Sequence, residues 1–315
     1  MRALHVPAAG EQPRLSEIPT PEVADGTVLI RVKAAGLNAI DNAIVGGMFT
    51  AMMPHQYPLV LGRDAAGVVE AVGAGVEHVN VGDEVFGHVL LAPPIQAGTI
   101  AEYALLHGAA VALKPAEIDF VTAAAIPLAG AAAYAAVDAI DPQPGQSVLV
   151  SGASGGVGSY VVQLLAARGA TVAATGTADD ATRLTALGAT TVVDYTAGPV
   201  VEQVLSAYPG GVDALIELAA YSPDAAPFAA VRKGGKAAAT TTAADEQSLA
   251  AHGLTGGGVM AGPVREVTAP LAAQAAAGSL KVDVHTVLPI EQAADGLATL
   301  AGGRARGKTV VKIAD

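Results

Sequence analysis

The stretch Val148-Leu149-Val150-Ser151-Gly152-Ala153-Ser154-Gly155-Gly156-Val157-Gly158 constrains this chain more than any other. A β-branched apolar run meets a glycine cluster, and a helix-like run from Tyr160 to Arg168 follows. The pattern predicts a strand, a tight turn and a helix N-terminus. Such a junction presents backbone N–H groups and the positive end of a helix dipole, which attract a pyrophosphate. The spacing Ala153-x-Gly155-x-x-Gly158 is the dinucleotide fingerprint with alanine in the first place. Gly155 lets the backbone approach the phosphates, and Gly158 lets the helix pack close on the strand.

With 37 glycines in the chain, a glycine fingerprint needs the right flanks to carry weight. Strand-like runs follow at Thr171 to Thr175, Thr191 to Asp194, Asp213 to Glu217 and Lys236 to Ala239, the last after the turn Lys233-Gly234-Gly235. Helical runs from Asp180 to Leu187 and from Val200 to Tyr208 separate the earlier ones. This alternation implies right-handed crossovers and a parallel sheet.

The first 115 or so residues read differently, as short β-runs punctuated by Gly and Pro: Thr27 to Lys33, Ala66 to Val72, and Glu84 to Phe86. Turn signals such as Asp25-Gly26, Gly73-Ala74-Gly75 and Val81-Gly82-Asp83 separate them. The C-terminal part returns to that style, with a helix over Ile290 to Leu300, a basic glycine turn over Gly302 to Lys308, and a strand over Thr309 to Ile313. We therefore expect a β-rich, barrel-like domain made of residues 1–121 and 263–315, with a dinucleotide-binding domain, 122–262, inserted between.

Bulk properties remove several classes. A net charge of −12 argues against a phosphate-backbone partner, so no nucleic acid is expected. The chain has no cysteine, which excludes disulfides and thiolate metal sites. The seven histidines are scattered, with no i, i+4 pair, so no metal site is expected; His55 and His88 read as surface or satisfied side chains. The N-terminus lacks the long apolar core of a signal peptide, and the uncharged run Phe120 to Val137 is mostly Ala and Gly with Pro127 inside. That run reads as buried helix, not a membrane anchor, and the chain as cytoplasmic.

Several motifs together resemble one family. They are Ala35-Gly36-Leu37-Asn38-Ala39-Ile40-Asp41, Pro58 to Val69 (containing Gly62-Arg63-Asp64), Val81 to Gly87, Gly98 to Tyr103, Ala125-Ile126-Pro127-Leu128-Ala129-Gly130, the fingerprint itself, and Arg306-Gly307-Lys308. In order and spacing they are similar to zinc-independent members of the medium-chain dehydrogenase/reductase superfamily, close to the NADPH:quinone oxidoreductase (zeta-crystallin-like) group. The resemblance implies an α/β fold: a Rossmann doubly wound parallel sheet inserted in a β-rich GroES-like barrel domain. It implies a homodimer, joined at sheet edges around a strand Val259-Met260-Ala261. It also implies hydride transfer from NADP(H) to a small-molecule quinone, with activated C=C acceptors (enone or enoyl) as the alternative. A cofactor-binding protein with little catalysis stays open as a third reading.

The family places Asn38 and Asp41 near the nicotinamide, and with Tyr57 these are the candidate catalytic residues. Candidate cofactor contacts are Asn38, Pro127, Ala153, Ser154, Gly155, Gly156, Val157, Gly158, Thr175, Gly176, Thr177, Arg183, Tyr195, Thr240 and Arg304. Zinc-dependent relatives need a thiolate near position 38 and a His after Gly62; Asn38 and Arg63 stand there instead. Thr175-Gly176-Thr177 ends the second strand without the acidic residue that usually binds a ribose 2′-hydroxyl, which favours NADPH. Asp179 and Asp180 pull the other way, because carboxylates near a 2′-phosphate weaken binding unless they face water. For the acceptor we expect Phe49, Met52, Met53 and Tyr57, an apolar and adaptable wall; the same methionines could instead fill the core. Phe49 has no hydroxyl, which suits a quinone better than an enoyl thioester. Ala132 stands where many relatives carry a threonine, so a hydroxyl contact to the cofactor ribose is not expected there.

Overall fold

Short apolar runs broken by glycine and proline become the strands of a first unit, residues 1–131 with 263–315, in a computed structural model that describes residues 1–303 and 305–314. Its N-terminal part comprises β1 (Arg2–Val6), β2 (Arg14–Glu17), β3 (Thr27–Gly36), β4 (Leu59–Val60), β5 (Asp64–Val72), β6 (Glu84–His88), β7 (Tyr103–His107) and β8 (Val111–Leu113). Helix α1 (Ala39–Val45) follows β3, and α2 (Phe120–Ala124) follows β8. In β3 the alternation of Thr27-Val28-Leu29-Ile30-Arg31-Val32 turns Val28, Ile30 and Val32 fully inward, as expected for a strand with one buried face. From Ala34 onward β3 is buried on both faces, where α2 packs against β3, β5 and β6.

Helix α3 (Pro127–Ile140) begins in the first unit and ends in the second. The uncharged run Phe120 to Val137 is thus split between two helices, with Pro127 opening the second, where its missing N–H costs nothing. Among the described residues no helix is long and apolar enough to cross a membrane.

The second unit, residues 132–262, contains β9 (Ser147–Ser151), α4 (Gly156–Ala167), β10 (Thr171–Gly176), α5 (Ala181–Ala186), β11 (Thr191–Asp194), α6 (Val200–Ala207), β12 (Val212–Glu217), β13 (Val231–Ala239), α7 (Glu246–His252) and β14 (Thr255–Gly258). Its six strands lie in the order β11-β10-β9-β12-β13-β14, all parallel. This is the doubly wound order, and its direction reverses between β9 and β12. The glycine loop follows β9, so it sits at the carboxyl edge beside that reversal. Val148, Leu149 and Val150 are fully buried, as continuous apolar strands are when helices cover both faces.

Two details differ from the sequence reading. The turn Lys233-Gly234-Gly235 lies inside β13, which already pairs with β12 at Val231 opposite Val212; the register then shifts before Lys236, so the glycines form an irregularity within a strand. The sixth strand is Thr255–Gly258, while Val259-Met260-Ala261, expected as a strand, lies beyond its end. Three consecutive glycines carry no strand propensity, and only pairing with β13 makes this segment β.

The chain returns to the first unit with α8 (Arg265–Ala276), β15 (Val284–Pro289), α9 (Ala293–Ala301) and β16 (Lys308–Lys312). The sheet path there runs β15-β16-β3-β5-β6-β8, with β7 also paired to β3; β15 and β16 are parallel and the rest antiparallel. Val311 of β16 joins Val28, Ile30 and Val32 in one apolar core.

Candidate functional site

In the second unit, Gly152 takes φ +79 and turns the chain out of β9, and α4 starts at Gly156 with Gly155 as its N-cap. No side chain caps that terminus, so its first-turn N–H groups keep the anion-facing character of a helix start. A Cβ on Gly158 would stand 2.5 Å from Cα of Ala153 and closer still to the Gly152 carbonyl, so only glycine lets α4 lie this close to the loop. The Thr175 hydroxyl accepts a hydrogen bond from the Gly152 N–H at 2.8 Å, pinning the turn to the end of β10.

Arg183 of α5 donates through Nη2 to the Ser154 carbonyl at 3.0 Å and to Asp180 Oδ1 at 2.9 Å. Asp180 is buried, and its Oδ2 accepts from both the N–H (3.0 Å) and the hydroxyl (2.8 Å) of Thr177. Of the two aspartates that spoke against a 2′-phosphate, Asp180 is therefore a capping residue neutralised by Arg183, and Asp179 is exposed to water. Arg183, expected from the sequence as a cofactor contact, is three-quarters or more buried and bridges the glycine loop to the Thr177 turn. Gly176 packs beneath Leu184 and Asp180, and the Gly176 carbonyl accepts from Tyr195 N–H at 3.2 Å while the Tyr195 side chain is half exposed. Thr240 follows β13, its N–H donating to the Glu217 carbonyl. Ala153 to Gly158, Thr175, Thr177 and Arg183 thus come together around one loop. Arg304 lies outside the described residues.

The first unit holds a cluster of buried polar and charged side chains beside its apolar core. Lys308, at the start of β16, donates to the Leu37 carbonyl at 3.0 Å and to Asn38 Oδ1 at 2.7 Å, and stands 3.5 Å from Asp64 Oδ2. Asn38 Nδ2 donates to Asp64 Oδ2 at 2.9 Å and to the Gly36 carbonyl at 3.3 Å. Asp64 Oδ1 accepts from His88 Nδ1 at 3.2 Å and from the Leu128 N–H, in the first turn of α3 beside Pro127, at 2.9 Å. Burial pushes the Asp64 carboxyl up, but the His88 hydrogen bond, the Lys308 ammonium and the Asn38 amide outweigh it and hold Asp64 below the usual carboxylate range. Burial lowers His88, so it donates Nδ1–H as a neutral imidazole.

Asp41 in the first turn of α1 is fully buried; its Oδ2 accepts from the Asn38 N–H at 2.9 Å and its Oδ1 has no hydrogen-bond partner among the described residues. Burial raises it to about 6, against the pull of Arg63, the Asn38 N–H and Lys308. The buried Arg63 guanidinium donates to the carbonyls of Gly62 and Ala97. Both polar atoms of the Asn38 side chain are engaged within the unit.

The acceptor-side residues are a different group. Phe49, Met53 and Tyr57 pack against the apolar core, Tyr57 with its ring 6.5 Å from that of His55, while Met52 is 73 % exposed. None of them belongs to the hydrogen-bonded cluster. Sequence reasoning missed Asp64 and Lys308 as a pair; the available signal was a charge opening each of two apolar strands, Asp64-Ala65-Ala66 and Lys308-Thr309-Val310.

The chain matches two family models, an alcohol dehydrogenase GroES-like domain over residues 24–116 and a zinc-binding dehydrogenase domain over residues 187–311. It is 33% identical over 303 residues to the chloroplastic NADPH-dependent alkenal/one oxidoreductase of Arabidopsis thaliana, covering 94% of this chain and 74% of that protein. It spans about half the length of several other curated relatives it matches. Among solved structures, an NAD-dependent alcohol dehydrogenase superposes with a TM-score of 0.87 at 32% identity, each chain covered fully. The quinone oxidoreductase of Coxiella burnetii superposes with a TM-score of 0.86 at 26% identity, over 100% of this chain and 99% of that one. With the doubly wound sheet, the glycine loop at its reversal and a β-rich unit made from both parts of the chain, these likenesses establish that the chain belongs to the medium-chain dehydrogenase/reductase superfamily.

Proposed function

We propose that this protein is an NADP(H)-dependent oxidoreductase that reduces a quinone, with activated alkenes conjugated to a carbonyl as its alternative acceptors. The observation that carries this reading is the loop Ala153–Gly158: an uncapped helix start against a glycine that tolerates no side chain fits a dinucleotide diphosphate. Arg183, tethered to Ser154, supports a 2′-phosphate at the end of β10, with Thr177 just after that strand and Tyr195 joined to it through the N–H bond to Gly176. NADPH, when bound, supplies the hydride. The chain's own work is to hold the diphosphate, to present Asn38 with a fixed carboxamide, and to offer an apolar wall from Phe49, Met52, Met53 and Tyr57. Pro127, Thr240 and Arg304 complete the proposed cofactor contacts. Asp41, raised to about 6, and the Tyr57 hydroxyl are the candidate proton donors to the reduced acceptor.

The names of similar proteins support both acceptor classes, since one relative is an alkenal/one oxidoreductase and one structural neighbour a quinone oxidoreductase. The alcohol dehydrogenase neighbour makes NADH a needed comparison. We further propose that turnover needs no zinc. A chain without cysteine, with Asn38 and the buried cation Arg63 near the positions where zinc relatives carry ligands, is a poor host for a divalent ion. A homodimer through the outer edge of β14, followed by the 85 % exposed Met260, and a cytoplasmic setting complete the proposal.

The test is consumption of NADPH and of NADH by the purified chain with phenanthrenequinone and with an α,β-unsaturated ketone, before and after chelation. Turnover with NADPH, untouched by the chelator, is expected. Tight NADPH binding without turnover of any acceptor would instead favour a binding role with little catalysis.

A further inference from the structure

The buried cluster of the first unit assigns a task to a lysine that the reductase chemistry itself does not call for. Lys308 and Asp64 are both buried, Asp64 completely and Lys308 to within 3 %. Burying two ions costs several kcal/mol per ion before their attraction is counted, and an apolar pair of similar volume often serves the fold as well. Arg63 and Asp41 are two further buried ions beside the pair, and outside this group the core packed around it is aliphatic, so packing alone does not require ions there. What the ions do is fix orientation.

The ammonium needs acceptors and finds the Leu37 carbonyl, Asn38 Oδ1 and the Asp64 carboxylate. The carboxylate needs donors and finds Asn38 Nδ2, His88 Nδ1 and the Leu128 N–H. Asn38 lies between the two, so its amide has one allowed orientation: oxygen to the lysine, nitrogen to the aspartate. The same carboxylate ties down the first turn of α3, next to Pro127. Asn38 is also the N-cap of α1, which leads directly into the Phe49–Met53 segment. One ion pair thereby sets the groups proposed to meet the nicotinamide and the head of the helix that carries the proposed acceptor wall.

We propose that Lys308 is a positioning residue, whose ammonium acts through Asn38 and Asp64 to preset the acceptor side of the first unit. The proposal rests on the reductase reading given above. Placement within about an ångström governs rates by up to about a hundredfold, so a lock of this kind acts on kcat more than on cofactor affinity.

The experiment compares the 315-residue wild-type chain with Lys308→Met. It reads unfolding midpoint, NADPH affinity by fluorescence, kcat against acceptor KM, and the NMR signals of the Asn38 side-chain amide and the Asp64 carboxyl. We expect NADPH affinity to hold within about threefold and kcat to fall about tenfold to a hundredfold. The Asn38 amide signal should move and Asp64 should titrate at higher pH. If loss of the Lys308 ammonium beside Asp64 prevents folding, Lys308→Met/Asp64→Asn removes both charges at nearly constant volume; it should fold and keep the kcat loss. A folded variant, single or double, with wild-type kcat and an unmoved Asn38 amide overturns the proposal. A wild-type chain that turns over no acceptor counts against the reductase reading, and the Asn38 and Asp64 signals then still decide whether Lys308 sets them.

Discussion

Gly158 and Arg183 carry the sharpest residue-level consequences. Because a Cβ at 158 meets backbone on the loop itself, Gly158→Val must push α4 away from β9. We expect NADPH binding, followed by nicotinamide fluorescence, to weaken by at least about a hundredfold, the scale of losing close phosphate contacts to a helix start. Arg183→Ala removes the cation beside Ser154 and the donor to Asp180 Oδ1, while the Thr177 donors to Oδ2 stay. A charge-assisted contact to a phosphate is worth about 1.5–3 kcal/mol, so KM for NADPH should rise about tenfold or more while KM for NADH changes little. Equal losses for both coenzymes would show that Arg183 serves the loop and not a 2′-phosphate. The fingerprint glycines were legible because their chemistry is local: strand, turn and helix follow one another in the chain. The roles of Asp180 and Arg183 were not, because a carboxylate three residues from an arginine looks the same in sequence whether it faces water or caps a turn.

At the level of elements, the first turn of α1 carries a carboxyl whose burial makes it sensitive to pH. Its buried Asp41 titrates near 6 instead of 3.8, so the folded chain holds that proton more tightly than the unfolded chain does. Stability attributable to Asp41 is therefore full at low pH and falls as the pH rises from the ordinary carboxylate value through about 6. At about 1.4 kcal/mol per unit, the loss reaches on the order of 3 kcal/mol. Arg63, Asp64 and Lys308 face the same carboxyl, so the clean measurement is a difference: urea midpoints of wild-type and Asp41→Asn chains from pH 4 to 8. The wild type should lose ground to the variant as the pH rises, and parallel curves would refute the assignment. Elements with strong period or β-branched runs, such as β9, β11 and α6, were legible almost to the residue. Strand β14, Thr-Gly-Gly-Gly, was not, since its β structure comes from its neighbour β13 and not from its own side chains.

For the whole molecule, the sequence reads as two kinds of chain, β-rich in its first and last parts and alternating between them, and the structure's two units are residues 1–131 with 263–315 and residues 132–262. What the sequence could not disclose was the meeting of Leu37, Asn38, Asp64, His88, Leu128 and Lys308, which only the folded β-rich unit brings together. The proposed dimer is tested at this scale: Gly257→Lys would set a charge on the outer strand β14. Size-exclusion chromatography with light scattering should then report a monomer where the wild type runs as a dimer, and a monomeric wild type would remove the proposal. A last consequence comes from β16, which pairs with β3 across more than 270 positions of sequence. On the ribosome, residues 132–262 are a continuous segment and can acquire their structure while translation proceeds. The β-rich unit must wait with its sheet unfinished and its lysine missing until residues 308–312 have emerged. A nascent chain stalled before Lys308 should therefore show protease resistance across the alternating segment and cleavage throughout the first 131 residues.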